Sequence, residues 1–413
     1  MRKIKLSEDL AAQNPELWKL KDAYLSDRRE YRLITPLFGG GAYPRYADEI
    51  TVIRPSEIKG QLRFWWRAVR GWKANGDLQK LLKTEEEIWG GVTEVSNASK
   101  VVLEIEVLDQ GKDETPYIEV PDKKDPRKKR FRNRSEIAPA YVAFPLQPTK
   151  DDRTLYPVRL DVRFALTLTY SESIQEDVEA ALWAWETFGG LGARTRRGFG
   201  AVVTEENLKH PLNKLDQIRQ KLEAYIKGGN WPQHVPHLTP ESTLYLFPGS
   251  WQKLVGKYQD FRQWRDGPRG RSKWPEPDAI REFTKPHSYG HKPRHPVKKF
   301  PRGQFGLPII FHFKGEEDPA DATLKGESLE RHASPLGFKP LGAGKSGPVL
   351  IYVLEGSRFL PEPYTLHTDR GPFNVDVTLT PDEARQIEPL EAAGGEPDPI
   401  KAFIKWLKTG GKR

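Results

Sequence analysis

Two hydrophobic rhythms alternate along the first half of this chain. In RLDVRFALTLTY, Arg159 to Tyr170, every second residue is apolar, which predicts a strand buried on one face. EYRLITPLF (Glu30 to Phe38) and VVLEIEVL (Val101 to Leu108) predict two more strands, and GFGAVVT (Gly198 to Thr204) a fourth. Between them the period lengthens. In RPSEIKGQLRFWWRAVRGW, residues Ile58, Leu62, Trp65 and Val69 recur at helical spacing behind Pro55, which suits a first turn. Ile174, Val178, Leu182 and Trp185 mark a second helix. Ser173 and Glu176 read as its capping box, and Gly189-Gly190 as its stop. The order strand, helix, strand, strand, helix, strand is the ferredoxin-like pattern.

Past a polar helical segment, Leu212 to Lys227, strands are predicted in STLYLFPGS, FGLPIIFHF, ASPLGFKPL and PVLIYVLEG. Helices are predicted in RSKWPEPDAIREF and PDPIKAFIKWLK. A second, more decorated domain of the same type is expected, since 413 residues exceed one ordinary core. The predicted fold is α+β with two ferredoxin-like domains. Residues 1–29 are an extension, 30–210 the first domain, 211–240 a linker helix and 241–413 the second domain.

Charge adds a partner to this picture. The net charge of +9 favours a polyanion. The absence of cysteine excludes disulfides, thiolate metal sites and cysteine nucleophiles. No signal peptide and no bilayer-length apolar run are visible, so a cytoplasmic protein with no membrane partner is expected. A single methionine, abundant proline and many charges lean toward thermophile usage. On the first helix Lys59, Arg63, Arg67 and Arg70 fall within an arc of about 80°. Trp66 lies between this face and the apolar stripe, where an indole could stack on a base. No carboxylate lies between Lys59 and Arg70. The stretch GGLGARTRRGFG, Gly189 to Gly200, combines glycines, which let amides face a ligand, with Arg194, Arg196 and Arg197, forked phosphate donors. Together these read as a phosphodiester cradle.

TPLFGGGA, IRPSEIKGQLRFWWRAVRG and GGLGARTRRGFGAV, followed by GRSKWPEPDAIR, FPRGQFGLPIIFHF and ERHASPLGFKPL, closely resemble the RAMP superfamily of CRISPR proteins. More narrowly they resemble the first-subunit family of the type III-B (Cmr) RNA-targeting effector complexes, over roughly Glu30 to Pro361. The resemblance implies RNA binding across a basic surface, with guide RNA, target RNA and sibling RAMP subunits as partners. It implies a place at the head of the complex, near the 3′ end of the guide, in antiviral defence. Target cleavage would belong to other subunits. By position, the family's basic surface maps to Arg54, Lys59, Arg63 and Arg67, with Arg194, Arg196 and Arg197.

Other motifs are weaker. In RGRSKWPEPDAIR, Arg271 and Lys273 precede a helix start that favours anions, while Trp274 could equally plug a core. GAGKSG falls short of a P-loop, because Lys339 stands where its first glycine belongs and a strand follows; Lys345 is read instead as the cation of a second RNA-facing loop. His287, His291 and His295 are spaced like metal ligands, but Gly290, Pro293 and Pro296 forbid the helix, so no metal or cofactor is expected. PRKKRFRNR (Pro126 to Arg134) reads as a mobile, solvated run. The chain is expected not to be an enzyme. The alternative is a metal-independent endoribonuclease that processes guide precursors, with His237 or His332 as acid or base.

Overall fold

The computed structural model describes residues 23–411 apart from 49, 93–96, 210–213, 268–269, 286–290 and 343–346. Its first half runs β1 (Tyr24–Leu33), α1 (Pro55–Arg70), α2 (Leu78–Trp89) and β2 (Val101–Asp109), then a hairpin of β3 (Tyr117–Pro121) and β4 (Lys129–Asn133). The short α3 (Ala140–Ala143) precedes β5 (Arg163–Ser171), α4 (Gln175–Phe188) and β6 (Val202–Thr204). β1, β2, β5 and β6 form one antiparallel sheet in the order β2-β5-β1-β6.

The period-2 pattern explains which face of that sheet is covered. Phe164, Leu166, Leu168 and Tyr170 of β5 share a core with Ile58, Leu62, Trp65 and Val69 of α1 and with Val178, Leu182 and Trp185 of α4. β1 starts at Tyr24, inside the segment expected to be an extension. The cap of α4 also differs from expectation. β5 runs on to Ser171, whose hydroxyl accepts from the Ser173 amide, so a 3₁₀ turn rather than a Ser173 capping box leads into the helix.

Beyond α5 (Leu215–Tyr225) come β7 (Leu244–Phe247), α6 (Trp251–Arg262), α7 (Glu276–Thr284), β8 (Ile309–Phe311) and β9 (Ala322–Gly326). They are followed by β10 (Leu336–Pro340), β11 (Val349–Val353), β12 (Tyr364–Thr368), β13 (Gly371–Val375) and α8 (Pro399–Lys408). These strands divide into a three-stranded sheet, β10-β11-β7, and a separate four-stranded sheet, β8-β9-β12-β13. The expected second copy of the first sheet is therefore corrected. β10, β11 and β7 keep the neighbour order of β2, β5 and β1, but no fourth strand lies beside β7 among the described residues. The other four strands bury a smaller core of their own around Ile280, Phe300, Leu324 and Leu366.

The halves are fused rather than tethered. In β11, Leu350 and Tyr352 point into the core of the first sheet, while Val349, Ile351 and Val353 point into a second core with α6 and α8. Phe38 and Phe199 of the first half lie in that second core. No helix among the described residues is long and apolar enough to cross a membrane.

Candidate nucleic-acid interface

α1 separates its faces as its spacing predicts, but the acids missing from its own sequence arrive from elsewhere. Glu85 of α2 is buried, and one of its oxygens, Oε1, accepts from Arg63 Nε and from Arg67 Nη1, each at 2.6 Å. One carboxylate thus holds two guanidiniums side by side, a third of each side chain still exposed, and leaves an excess of positive charge. Lys59 stands one turn earlier and makes no ion pair among the described residues. Burial, and then the nearby Arg63 charge, hold its amine below the usual lysine value. Arg54 flanks the helix start near Asp48 and Glu57, with Nη1 at 3.5 Å from the Gly40 carbonyl.

Two members of the expected face turn inward. Trp66 is 1% exposed and donates its indole N–H to Asp177 of α4 at 3.0 Å, so no base can stack on it. Arg70 is equally buried and donates to Asp177, to Glu176 and to the Tyr225 carbonyl. Both are corrections with one cause: α4 packs closely against α1 and brings carboxylates more than a hundred residues away in sequence.

The loop from Gly189 to Gly200 lies against the start of α1, but its amides are largely occupied. Leu191, Ala193, Arg197, Gly198 and Gly200 donate to backbone carbonyls, and Gly192 donates to the Glu57 carboxylate in the first turn of α1. Its glycines answer steric demands. Gly192 has φ +76°, and a Cβ there would lie 2.5 Å from the Phe38 carbonyl. The amides of these six residues are closed to a ligand.

The three arginines of the loop have separate fates. Arg197 donates to the Leu336 carbonyl at 2.7 Å, and its own carbonyl accepts from Trp251 Nε1 at 2.8 Å. Arg196 donates to the Ser334 carbonyl at 2.7 Å, its carbonyl accepts from the Phe338 amide, and its guanidinium lies 5.3 Å from the Phe64 ring centre. As phosphate contacts these two are corrected: their fixed bonds stitch the loop to β10 and the segment before it. Arg194 is different. It sits at φ +59°, 4.4 Å over the ring of Phe144, and makes no ion pair among the described residues.

Outside this region Arg271 clamps both oxygens of Asp278 at 2.7 Å, and Lys273 pairs with Asp266 and Glu388. The anion-favouring start of α7 already carries its own Glu276 and Asp278. Trp274 is buried in the second core. Arg271 and Lys273 are thus corrected to structural residues, while Lys345, Arg269 and His287 lie outside the described residues. PRKKRFRNR is no loose tail, for its second half is β4, paired with β3. His237 stacks on Trp231 with Nδ1 facing the Val235 carbonyl, and His332 Nε2 faces the Ser357 carbonyl. Burial lowers the pKa of both.

Sequence reasoning missed four residues that shape this region: Glu57, Glu85, Phe144 and Lys339. Lys339 is fully buried in β10, and its ammonium donates to the carbonyls of Gly189 and Val202 at 2.7 and 2.8 Å, which bridges the two ends of the loop.

Comparison with known proteins bears on this geometry. Residues 30–203 match the family model described as the RAMP superfamily. The chain is 25% identical over 332 residues to CRISPR system Cmr subunit Cmr1-1 of Pyrococcus furiosus, which covers 77% of this chain and 85% of that protein. It is also similar to the crystal structure of apo Cmr1 from Pyrococcus furiosus, with 20% identity, 88% of this chain and 96% of that chain covered, and a TM-score of 0.48. A chain in the cryo-EM structure of type III-B Cmr-beta bound to cognate target RNA matches at 15% identity, over 82% of this chain and 96% of that chain, with a TM-score of 0.44. The segment that matches the RAMP superfamily model thus holds both α1 and the glycine-arginine loop, in a chain similar to a Cmr1 subunit.

Proposed function

We propose that this chain is a non-catalytic, RNA-binding first subunit of a type III-B Cmr effector complex, placed at the head of the complex near the 3′ end of the guide. The observation that carries the RNA-binding reading is the arrangement on α1, where Arg63 and Arg67 share the single carboxylate of Glu85 and Lys59 stands beside Arg63 one turn earlier. A merely solvated face would pair its cations one to one or leave them splayed. Here two guanidiniums are pre-organised, and their unsatisfied N–H groups remain for phosphate oxygens. Contacts of this kind read the backbone, so sequence selection falls to guide–target pairing.

The test is binding of a labelled single-stranded RNA to the full chain across a salt series. We expect log K to fall linearly with log salt, and the double variant Lys59→Gln/Arg67→Gln to bind more weakly with a shallower slope, by about one to two units. Equal slopes for the two proteins would reduce α1 to a surface helix. The RNA should be recovered intact; specific products with 2′,3′-cyclic ends would instead support the endoribonuclease reading.

A further inference from the structure

Phe144 is an anomaly of packing. It is 57% exposed on a 3₁₀ turn, Phe144–Leu146, that directly follows α3. Its neighbours Val142, Ala143 and Leu146 are buried in the second core, so the backbone beneath the ring is anchored. The ring could have turned inward with them. Instead it meets the guanidinium of Arg194, 4.4 Å from its centre.

Arg194 is the second anomaly. A non-glycine residue at φ +59° is held in a conformation that costs free energy. Its Nε is shielded from solvent and has no hydrogen-bond partner among the described residues. The charged groups around it are also cations, Arg197 and Arg262, with the phenols of Tyr141 and Tyr258. Burial, then repulsion from Arg197, brings its pKa down to about 10. A crowded cation that makes no ion pair among the described residues, beside an outward-facing aromatic ring, forms an incomplete site. Phosphate would supply the missing charge, and a planar base the missing ring contact.

We infer that Phe144 and Arg194 form a seat for one unpaired nucleotide of single-stranded RNA, with the base stacked on the Phe144 ring and the adjoining phosphate held by Arg194. The seat is on the same loop that touches the first turn of α1 through Gly192, so it extends the RNA path proposed above and rests on that reading. Its contribution is different in kind. The α1 cations act through charge and are salt-sensitive, whereas stacking is nearly independent of salt and of base identity.

The experiment uses the full chain and a single-stranded oligonucleotide carrying 2-aminopurine, whose fluorescence falls on stacking. Wild type should quench it. Phe144→Leu should lose the quenching and bind about tenfold more weakly, with an unchanged salt slope. Phe144→Trp should restore both. Arg194→Gln, which keeps the same backbone strain, should lower the salt slope by about one. Because the Phe144 ring is outside the core, the variants should melt with wild type, which separates a lost contact from a lost fold. If wild type binds and Phe144→Leu binds and quenches equally, the seat is overturned while the α1 reading stands; the patch is then a surface for a protein neighbour. If wild type does not bind the oligonucleotide, both readings fail.

Discussion

Lys339 shows how one residue can read as a defect in sequence and as a brace in structure. At the sequence level its position only breaks a P-loop pattern. In the fold it crosses from β10 to hold the carbonyls at either end of the glycine-arginine loop. Burial lowers its pKa to about 7, against the pull of Glu186 in the other direction. The sign of the pH effect follows. An unfolded lysine titrates near 10.4, so between about pH 7 and pH 10 the unfolded chain holds a proton that the folded chain has released. Stability contributed by this group therefore rises with pH across that window, and is lost again as pH falls toward 7. In chemical denaturation, wild type should gain on Lys339→Met between pH 7 and pH 10. A difference that stays flat with pH would show that the amine keeps its proton throughout. Nothing in the sequence could have announced this role, because the partner carbonyls lie more than 130 residues away. Separations of more than a hundred residues likewise hid the carboxylates that turn Trp66 and Arg70 inward. Residue types were legible; their partners were not.

At the scale of elements, α1 was readable because its stripe is set by a local period, whereas its charge state is a property of the pair α1–α2. Glu85 lies on the second helix, on the buried stripe with Leu81, Ile88 and Trp89, and nothing local to that stripe names the arginines its carboxylate will meet. α6 was missed for another reason. Trp251, Leu254, Val255, Tyr258 and Phe261 do recur at helical spacing, but only Pro248, Gly249 and Ser250 separate that period from the strand before it. The hairpin of β3 and β4 was hidden by its own charge, since the seven-residue turn DKKDPRK and the strand KRFRN after it look solvated until the partner strand is known. The α1–α2 pair gives a discriminating prediction. Glu85→Gln removes the carboxylate shared by Arg63 and Arg67 and adds one net positive charge to the face. It should cost about 1–2 kcal/mol of stability, discounted because both arginines are partly exposed. RNA affinity should nevertheless rise and the salt slope steepen by up to about one. A destabilised variant with unaltered RNA binding would mean that Arg63 and Arg67 serve only to join the two helices.

For the whole molecule, the division into two domains along the sequence does not carry over into two independent cores. β11 is the reason. Its alternation places Leu350 and Tyr352 on one side and Val349, Ile351 and Val353 on the other, so a single five-residue strand is the common wall of both cores. Arg196 and Arg197 add bonds from the first half to β10 and the segment before it, and Phe199 packs on Trp251 of α6. This coupling matters for the proposed interface, because the loop that presents Arg194 is fixed only when both halves are in place. Unfolding should accordingly be one calorimetric transition for these two cores. Leu350→Ala and Ile351→Ala delete buried side chains on opposite faces of the strand, and each should cost about 2–5 kcal/mol. Both should lower the same transition. Two peaks, with Leu350→Ala moving one and Ile351→Ala the other, would mean that the halves fold separately. The glycine-arginine loop could then be formed by the first half alone, and the bonds of Arg196, Arg197 and Lys339 would be consequences of docking rather than conditions for presenting Arg194.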